Sequence, residues 1–243
     1  MSQSGFDAWI AQRYEMLWPE LFDETLLAAT VAFLAELAGT RPALEFGVGT
    51  GRIAVPLGRA GVLVHGIDLS PAMIARLRGL PGGSAVGVTI GDFAGARVGT
   101  EFGLVYLLRN TITNLTTQDA QVDAFRNAAA QLARGGHFVI ENYVPALRLL
   151  PPGQATRVFT ATGTHVGYEE YDTATQIAVS HHYWTIDGSL RTFSSSHRYV
   201  WPSELDLMAR MAGMTLRGRW GGWQREPFTE HSASHVSLWQ KAE

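Results

Sequence analysis

The fold of this chain is decided by Leu44-Glu45-Phe46-Gly47-Val48-Gly49-Thr50-Gly51. Apolar residues and a carboxylate, typical of the end of a buried strand, run directly into a glycine-rich loop. Arg52 and the apolar residues after it predict that a helix begins there. Glycines suit such a loop because a ligand can lie against bare backbone, and the free N–H groups of a helix start can face a polar ligand. The stretch therefore predicts a ligand-binding turn between a strand and a helix of an α/β protein.

Two features distinguish this loop from a dinucleotide-binding loop. The dinucleotide fingerprint is G-x-G-x-x-G, whereas these glycines follow G-x-G-x-G, and Arg52 takes the place of the third glycine. Glu45, just before the loop, would repel a pyrophosphate but suits an ammonium group. Asp68 ends the next apolar strand, near the offset of about 20 residues at which a carboxylate binds ribose hydroxyls. A ligand with an ammonium group, a ribose and no phosphate is S-adenosylmethionine (SAM).

Two further motifs follow in order and carry a family resemblance. Ile67-Asp68-Leu69-Ser70 comes after the second strand, and Gly91-Asp92-Phe93 comes after the third. Together with the first loop, of the form acid-apolar-Gly-x-Gly-x-Gly, they make the chain resemble the class I SAM-dependent methyltransferases over roughly residues 26 to 240. Within that family it is similar to the small-molecule, sugar N-methyltransferase-like group. The resemblance implies SAM as cofactor and S-adenosylhomocysteine (SAH) as product.

The resemblance also implies how the cofactor is bound. In the family, the acid at the position of Asp92 binds the adenine amino group, and the N–H of the next residue, here Phe93, binds a ring nitrogen. A Tyr on an N-terminal helix covers the cofactor in related small-molecule enzymes, so Tyr14 takes either that role or one in ordinary packing. Met73 belongs either to the adenine pocket or to the core. The expected cofactor contacts are Tyr14, Glu45, Gly47, Gly49, Gly51, Arg52, Asp68, Leu69, Met73, Asp92, Phe93 and Leu108.

The order of the predicted elements indicates an α/β fold, with a doubly wound, mostly parallel, seven-stranded Rossmann-like sheet. After the fifth strand, alternating β-branched and aromatic residues predict an antiparallel β insertion over about residues 152–201, with a hairpin turn at Asp187-Gly188. We expect a single methyltransferase domain over residues 1–243. In it, residues 1–40 form an N-terminal helical cover, with a first helix that runs from about Phe6 to Pro19, and the insertion forms a lid.

Composition limits the function classes. The chain has 243 residues, a net charge of −3 and no cysteine, which excludes a disulfide, a thiolate metal site and a cysteine nucleophile. The mild acidity gives no attraction to nucleic acid, and the scattered histidines suggest no metal site. No apolar run reaches the ~18 residues of a membrane span, and residues 1–5 lack the basic region of a signal peptide. We expect a cytoplasmic enzyme with a small-molecule substrate and neither nucleic acid nor membrane as partner, whose hairpin edges could pair in a homodimer.

The acceptor side carries weaker signals. An amine or hydroxyl nucleophile must lose its proton, so a general base is useful. His181 and His182 point to opposite faces of one predicted strand, so at most one of them faces the pocket. Asn110 is assigned to the substrate or to the cap of a loop, and Trp223 to the substrate entrance or to loop packing. The expected catalytic residues are His182, Tyr14 and Glu141, and the expected substrate contacts are Asn110, Tyr143, His181 and Trp223.

These features predict that the protein transfers a methyl group from SAM to a nitrogen or oxygen of a small-molecule metabolite, such as a biosynthetic intermediate. The alternative is that the same fold uses its pocket for a cyclisation or rearrangement without methyl transfer, since a fold does not determine a function. A nicotinamide oxidoreductase is disfavoured by Arg52 and by the absence of a Tyr-x-x-x-Lys pair. Release of SAH during turnover distinguishes the first two possibilities.

Overall fold

The computed structural model of the protein describes residues 8–243. The predicted start of the first helix near Phe6 lies outside the described residues. The helices are α1 (Ala8–Leu17), α2 (Glu24–Ala38), α3 (Ala54–Arg59), α4 (Pro71–Arg78), α5 (Gln118–Gln131) and α6 (Pro202–Met211). The strands are β1 (Ala43–Phe46), β2 (Val64–Asp68), β3 (Gly87–Ile90), β4 (Phe102–Leu107), β5 (Leu132–Tyr143), β6 (Thr156–Ala161), β7 (His165–Asp172), β8 (Ile177–Ile186), β9 (Ser189–Arg198), β10 (Met214–Trp220) and β11 (Ser234–Lys241).

Seven of the strands form one central sheet in the order β10-β11-β5-β4-β1-β2-β3. The five strands from β5 to β3 are parallel, whereas β11 runs antiparallel to β5 and β10 antiparallel to β11. Helices cover both faces: one buried cluster joins the sheet to α5 and α6, and a second joins it to α2, α3 and α4. The predicted doubly wound, mostly parallel seven-stranded sheet is confirmed.

At the centre of this sheet, the carboxyl ends of β1, β2 and β4 lie side by side. Phe46, the last residue of β1, pairs with Ile67 of β2 on one side and with Leu107 of β4 on the other. Every residue of β1 and β4 is buried, which explains their almost continuous apolar sequences. Strand order reverses between β1 and β4, and in open α/β sheets ligands bind at the carboxyl ends of the strands at such a point.

The remaining four strands form a separate antiparallel sheet, β6-β7-β8-β9, which we call the lid. It is inserted between β5 and α6, as the fold-class prediction requires. Along β8, residues 178, 180, 182 and 184 are buried, and their neighbours are more exposed. Aligned positions on β7 and β9 share this inner face, because antiparallel pairing keeps opposite residues on the same side.

The N-terminal helix α1 packs between the lid and α4. Ile10, Ala11 and Leu17 form a small buried cluster with Met73 of α4 and Trp184 of β8. This contact closes the space above the carboxyl ends of β1 and β2. No helix within residues 8–243 is long and apolar enough to cross a lipid bilayer.

The helix after the glycine loop differs from its prediction. It begins at Ala54 instead of Arg52 and has only six residues. Residues 52 and 53 form a turn, because the tight loop ahead of them still has to redirect the chain. Pro56 therefore lies in the first turn of α3, where a backbone N–H has no partner within the helix. Pro56 therefore gives no reason for a bend in α3.

Candidate functional site

The glycine loop after β1 is held in a conformation that other residues rarely adopt. Gly47 and Gly49 have φ of 71° and 53°. The N–H of Gly47 donates to the carbonyl oxygen of Ile67 at 2.8 Å, which ties the loop to the end of β2. A Cβ atom on Gly47 would lie 2.7 Å from Cγ2 of Thr111. The loop backbone is therefore bare and closely packed, as a ligand cradle requires.

Asp68 at the end of β2 connects this loop to the next helix. Its Oδ2 accepts a hydrogen bond from the N–H of Gly49 at 2.7 Å, and its Oδ1 accepts one from the N–H of Ser70 at 2.8 Å. Burial raises the pKa of Asp68, whereas these backbone hydrogen bonds oppose the rise. The carboxylate is fixed at the edge of the cleft, with lone pairs left for a ligand.

Glu45 lies beneath the loop and is almost completely buried. Its Oε2 accepts a hydrogen bond from the hydroxyl of Tyr106 at 3.0 Å. Burial raises the pKa of Glu45 to about 8, although that hydrogen bond and the charge of Arg52 oppose the rise. Arg52 is held in place by a hydrogen bond from its Nη1 to the carbonyl oxygen of Leu21 at 3.1 Å. A cationic ligand group next to Glu45 would stabilise its ionised form.

The cleft around these residues has a volume of about 1030 Å³. Asp92, after β3, lies at its edge, and its Oδ1 accepts a hydrogen bond from the N–H of Ala94 at 2.8 Å. Gly51 is the exception among the expected cofactor contacts, because it packs behind the loop, where an added Cβ would lie 2.9 Å from Cγ of Leu77. The expected cofactor contacts that line the cleft are Tyr14, Glu45, Gly47, Gly49, Arg52, Asp68, Leu69, Met73, Asp92, Phe93 and Leu108.

Tyr14 of α1 forms part of the roof. Its ring lies 5.1 Å from the ring of Trp18, and both side chains line the cleft. Burial raises the pKa of Tyr14, although Arg52 and Arg109 oppose the rise. At neutral pH the hydroxyl is therefore protonated and can donate a hydrogen bond.

The two adjacent histidines of β8 occupy different environments. His182 faces the cleft, and its Nδ1 lies 3.0 Å from Nε2 of His165, so one ring donates and the other accepts. Burial, together with the neighbouring His165, lowers the pKa of His182 to about 4. His181 lies on the outer face, within 2.8 Å of Oγ of Ser194 and 3.2 Å of Oε2 of Glu170. The structure does not bring His181 to the cleft, because neighbouring strand residues face opposite sides.

Asn110 and Tyr143 lie where β4 and β5 end. Asn110 has a φ of 61°, and its Oδ1 accepts a hydrogen bond from the N–H of Tyr143 at 2.8 Å. This bond gives the amide the loop-fixing role that the sequence left open, while both residues still line the cleft. Burial raises the pKa of Tyr143, and Glu169 adds to the rise.

Glu141 and Trp223 form a support behind the cleft and do not line it. Oε1 of Glu141 accepts from Nε1 of Trp223 at 3.0 Å, and its Oε2 accepts from the N–H of Arg109 at 2.9 Å. Arg109 has a φ of 51°, which turns its N–H back toward β5. The expectations of a catalytic Glu141 and a substrate contact at Trp223 are therefore revised: both fix the loop after β4.

A second cavity of about 780 Å³ adjoins the cleft between the lid and the end of β5. Tyr143, Phe159 and Glu169 border both spaces. Phe159, Glu169 and His165 were not predicted from the sequence, although the alternation seen along β8 also gives β7 an inner face. Alternation along a strand does not indicate that the inner face of the lid lies over the cleft.

Comparisons with known proteins agree with this geometry. Residues 43–136 match the family model described as a methyltransferase domain. The CcbJ methyltransferase from Streptomyces caelestis is 34% identical, covers 96% of each chain and has a TM-score of 0.85. The chain belongs to the SAM-dependent methyltransferases.

Two further relatives extend the comparison. The cypemycin N-terminal methyltransferase of a Streptomyces species is 27% identical to this methyltransferase over 234 residues, 94% of each chain. The sugar N-methyltransferase KedS8 from Streptoalloteichus is 20% identical, covers 95% of this chain and 93% of its own, and has a TM-score of 0.67, which shows the shared fold. SAM is the cofactor and SAH the product, and the glycine cradle with its buried and half-buried carboxylates fits the adenosyl and amino acid parts of SAM.

Proposed function

We propose that this enzyme methylates an amine nitrogen of a small-molecule acceptor. The observation that carries the proposal is the junction of two spaces: beneath the inner face of the lid, the cleft around the glycine loop adjoins a second cavity, and Tyr143, Phe159 and Glu169 line both. Such a junction lets a cofactor and a separate acceptor approach each other out of contact with bulk water, which favours a transfer reaction.

Cofactor binding is assigned to the cleft. In the proposal, Asp68 binds the ribose hydroxyls, Asp92 and the N–H of Phe93 bind the adenine edge, and Glu45 binds the ammonium group. The bare backbone of the glycine loop lies against the amino acid part, and Tyr14 covers it from above. Each assignment follows from a carboxylate, a free backbone stretch or a hydroxyl that borders the cleft.

Nitrogen is favoured over oxygen by the chemistry of the lid. Methylation of a hydroxyl calls for a base that can remove a poorly acidic proton, whereas the unprotonated fraction of an amine has a free lone pair and needs no base during the transfer. The lid offers His182, whose pKa is lowered to about 4, and this makes its ring a weak base. Of the relatives described above, one is named an N-terminal methyltransferase and another a sugar N-methyltransferase.

The reaction then makes few chemical demands on the protein. The lone pair of the neutral amine forms the new N–C bond, and the electron pair of the broken C–S bond stays on sulfur. The product leaves as an ammonium ion and exchanges its proton in bulk water. The bound cofactor supplies an electrophilic methyl group, so the chain has to orient the two reactants and exclude water. The roof formed by α1 and the lid provides that exclusion.

The proposal is tested with labelled SAM and matched panels of aliphatic amines and their hydroxyl analogues. We expect label in the amines, equimolar SAH release and no label in the hydroxyl analogues. Label only in hydroxyl compounds would contradict the choice of nitrogen. A consumed acceptor with no SAH release would support the cyclisation or rearrangement alternative and overturn methyl transfer.

A further inference from the structure

The inner face of the lid carries one fixed negative charge above the cleft. Glu169 lies in the middle of this face, between Ser180 on β8 and Arg157 on β6. At the inward positions of β7, β8 and β9 from His165 to His197, the other side chains are aromatic, small, hydroxyl-bearing or imidazole, apart from the exposed Arg191, which pairs with Trp184 at the far end of the face. Burial lowers the pKa of all three inward histidines, His165, His182 and His197, so they are neutral at physiological pH.

Hydrogen bonds hold the Glu169 carboxylate in place. Its Oε1 accepts a hydrogen bond from Oγ of Ser180 at 3.2 Å, and its Oε2 accepts one from the hydroxyl of Tyr171. Burial, then the adjacent Glu169, raises the pKa of Tyr171, so this hydroxyl remains a neutral donor. Neutral donors orient the carboxylate without cancelling its charge.

Glu169 forms no ion pair within the described residues, although Arg148 and Arg157 also line the second cavity and Arg157 acts on the adjacent Tyr171. Arg157 faces Glu169 across the β6–β7 pair, yet within residues 8–243 no lysine, arginine or histidine nitrogen lies within 4.0 Å of its carboxylate. Glu169 is half-buried, and a half-buried carboxylate gains most from a partner that brings a positive charge.

Aromatic rings surround the same point. Tyr143 and Phe159 border both the cleft and the second cavity, and Tyr171 lines the cavity beside Glu169. A carboxylate among aromatic faces is the combination that binds alkylammonium groups, since both the charge and the ring quadrupoles attract a cation. A hydroxyl compound would gain little from either.

We propose that the second cavity is the acceptor site and that Glu169 binds the protonated form of a basic amine at its junction with the cofactor cleft. This inference rests on the proposed N-methylation. Glu169 recognises the ammonium group and brings it to the junction. The fraction of the bound amine that is unprotonated reacts there.

The test uses benzylamine and benzyl alcohol as probes, because they share one shape and differ in charge at pH 7.5. Binding to the SAH-saturated enzyme is measured by calorimetry. We expect benzylamine to bind roughly tenfold or more tightly than benzyl alcohol, as a charge-assisted hydrogen bond predicts. Glu169→Gln should remove that preference, and Glu169→Asp should restore part of it. Unchanged SAH affinity in both variants demonstrates an intact fold.

Glu170→Gln is the matched control, because Glu170 is the next residue and lies on the outer face against His181. It should keep the full preference for benzylamine. A preference that survives Glu169→Gln, equal binding of both probes to the wild type, or no binding of either would overturn the inference.

Turnover separates this inference from the proposed function. With an amine that is methylated, Glu169→Gln should raise KM at least about tenfold and leave kcat within about threefold of the wild type. Amine methylation with unchanged KM would overturn the role of Glu169 and leave the function standing. Preferential binding of the amine without any methyl transfer would support the role of Glu169 and contradict the proposed function.

Discussion

The cofactor cleft and the lid solve the problem of ligand binding in different ways. The cleft uses backbone geometry: a glycine loop, strand ends in register, and carboxylates such as Asp68 that are fixed by backbone N–H groups at 2.7–2.8 Å. The lid uses side chains on one face of an antiparallel sheet, oriented by other side chains, as Tyr171 orients Glu169. The cofactor cleft therefore depends on the local sequence of the glycine loop and strand ends. The inner face of the lid, in contrast, can change by side-chain substitution while the fold stays the same.

The largest effect should come from Asp68→Ala in the cleft. The change removes the carboxylate that fixes the loop at Gly49 and that we assign to the ribose hydroxyls. Hydrogen bonds to a charged group contribute about 1.5–3 kcal/mol each, so two of them predict a loss of SAH affinity of roughly a thousandfold. Calorimetry with SAH measures it. Asp123→Ala, which breaks only a surface pair with Arg126, should bind normally. Near-normal affinity in folded Asp68→Ala would contradict the assignment.

Glu45→Gln should show a pH-dependent effect on stability. The pKa of Glu45 in the folded protein, about 8, is above its unfolded value, so the wild type loses stability as pH rises between about 4.5 and 8. Gln has no proton to lose and keeps an acceptor for Tyr106. The cofactor-free variant should be more stable than the wild type at pH 9, by on the order of 2 kcal/mol, and should lose this advantage toward pH 5.

Denaturant unfolding at pH 5 and pH 9 measures the difference for Glu45→Gln. An advantage of equal size at both pH values would show that ionisation of Glu45 is not its source. SAH affinity provides a second readout, since loss of the carboxylate should weaken binding of the ammonium group at pH 7.

A smaller effect is expected from the lid pair His182→Asn and His181→Asn. A general base contributes about 10²–10⁴-fold, and His182, with a pKa of about 4, is poorly suited to that role. We expect kcat to fall about tenfold or less in His182→Asn through altered packing, and no change in His181→Asn. A loss above a hundredfold in His182→Asn, with an altered pH profile, would identify a base after all.

The smallest effect should come from Glu141→Gln behind the cleft. Gln keeps one oxygen that accepts from either Trp223 or Arg109, but its NH2 group cannot accept the second hydrogen bond, and the charge is lost. We expect about 1 kcal/mol less stability and less than threefold weaker SAH binding. Thermal unfolding and calorimetry measure both, with the exposed Glu101→Gln as control. Abolished turnover with normal SAH binding would instead restore Glu141 as a catalytic residue.

The same contrast explains how much the sequence could predict. The glycine loop and Asp68 could be located because strand ends and ribose-binding carboxylates follow a fixed spacing along the chain. The facing of His181 and His182 followed from strand alternation alone. The sequence could not predict that Glu141 supports the loop after β4, because its hydrogen-bond partner Trp223 is 82 residues away along the chain. Glu169 was missed for the same reason, since its importance arises only when the lid folds over the cleft.

We infer that cofactor and acceptor meet where the cleft adjoins the second cavity beneath the lid. A crystal structure of the enzyme with SAH and benzylamine tests it most directly. We expect to find the ribose hydroxyls on Asp68, the amino group at Glu45, the sulfur facing the junction, and the benzylamine nitrogen beside Glu169. An SAH sulfur that points away from that junction, or an amine bound elsewhere on the molecule, would contradict it.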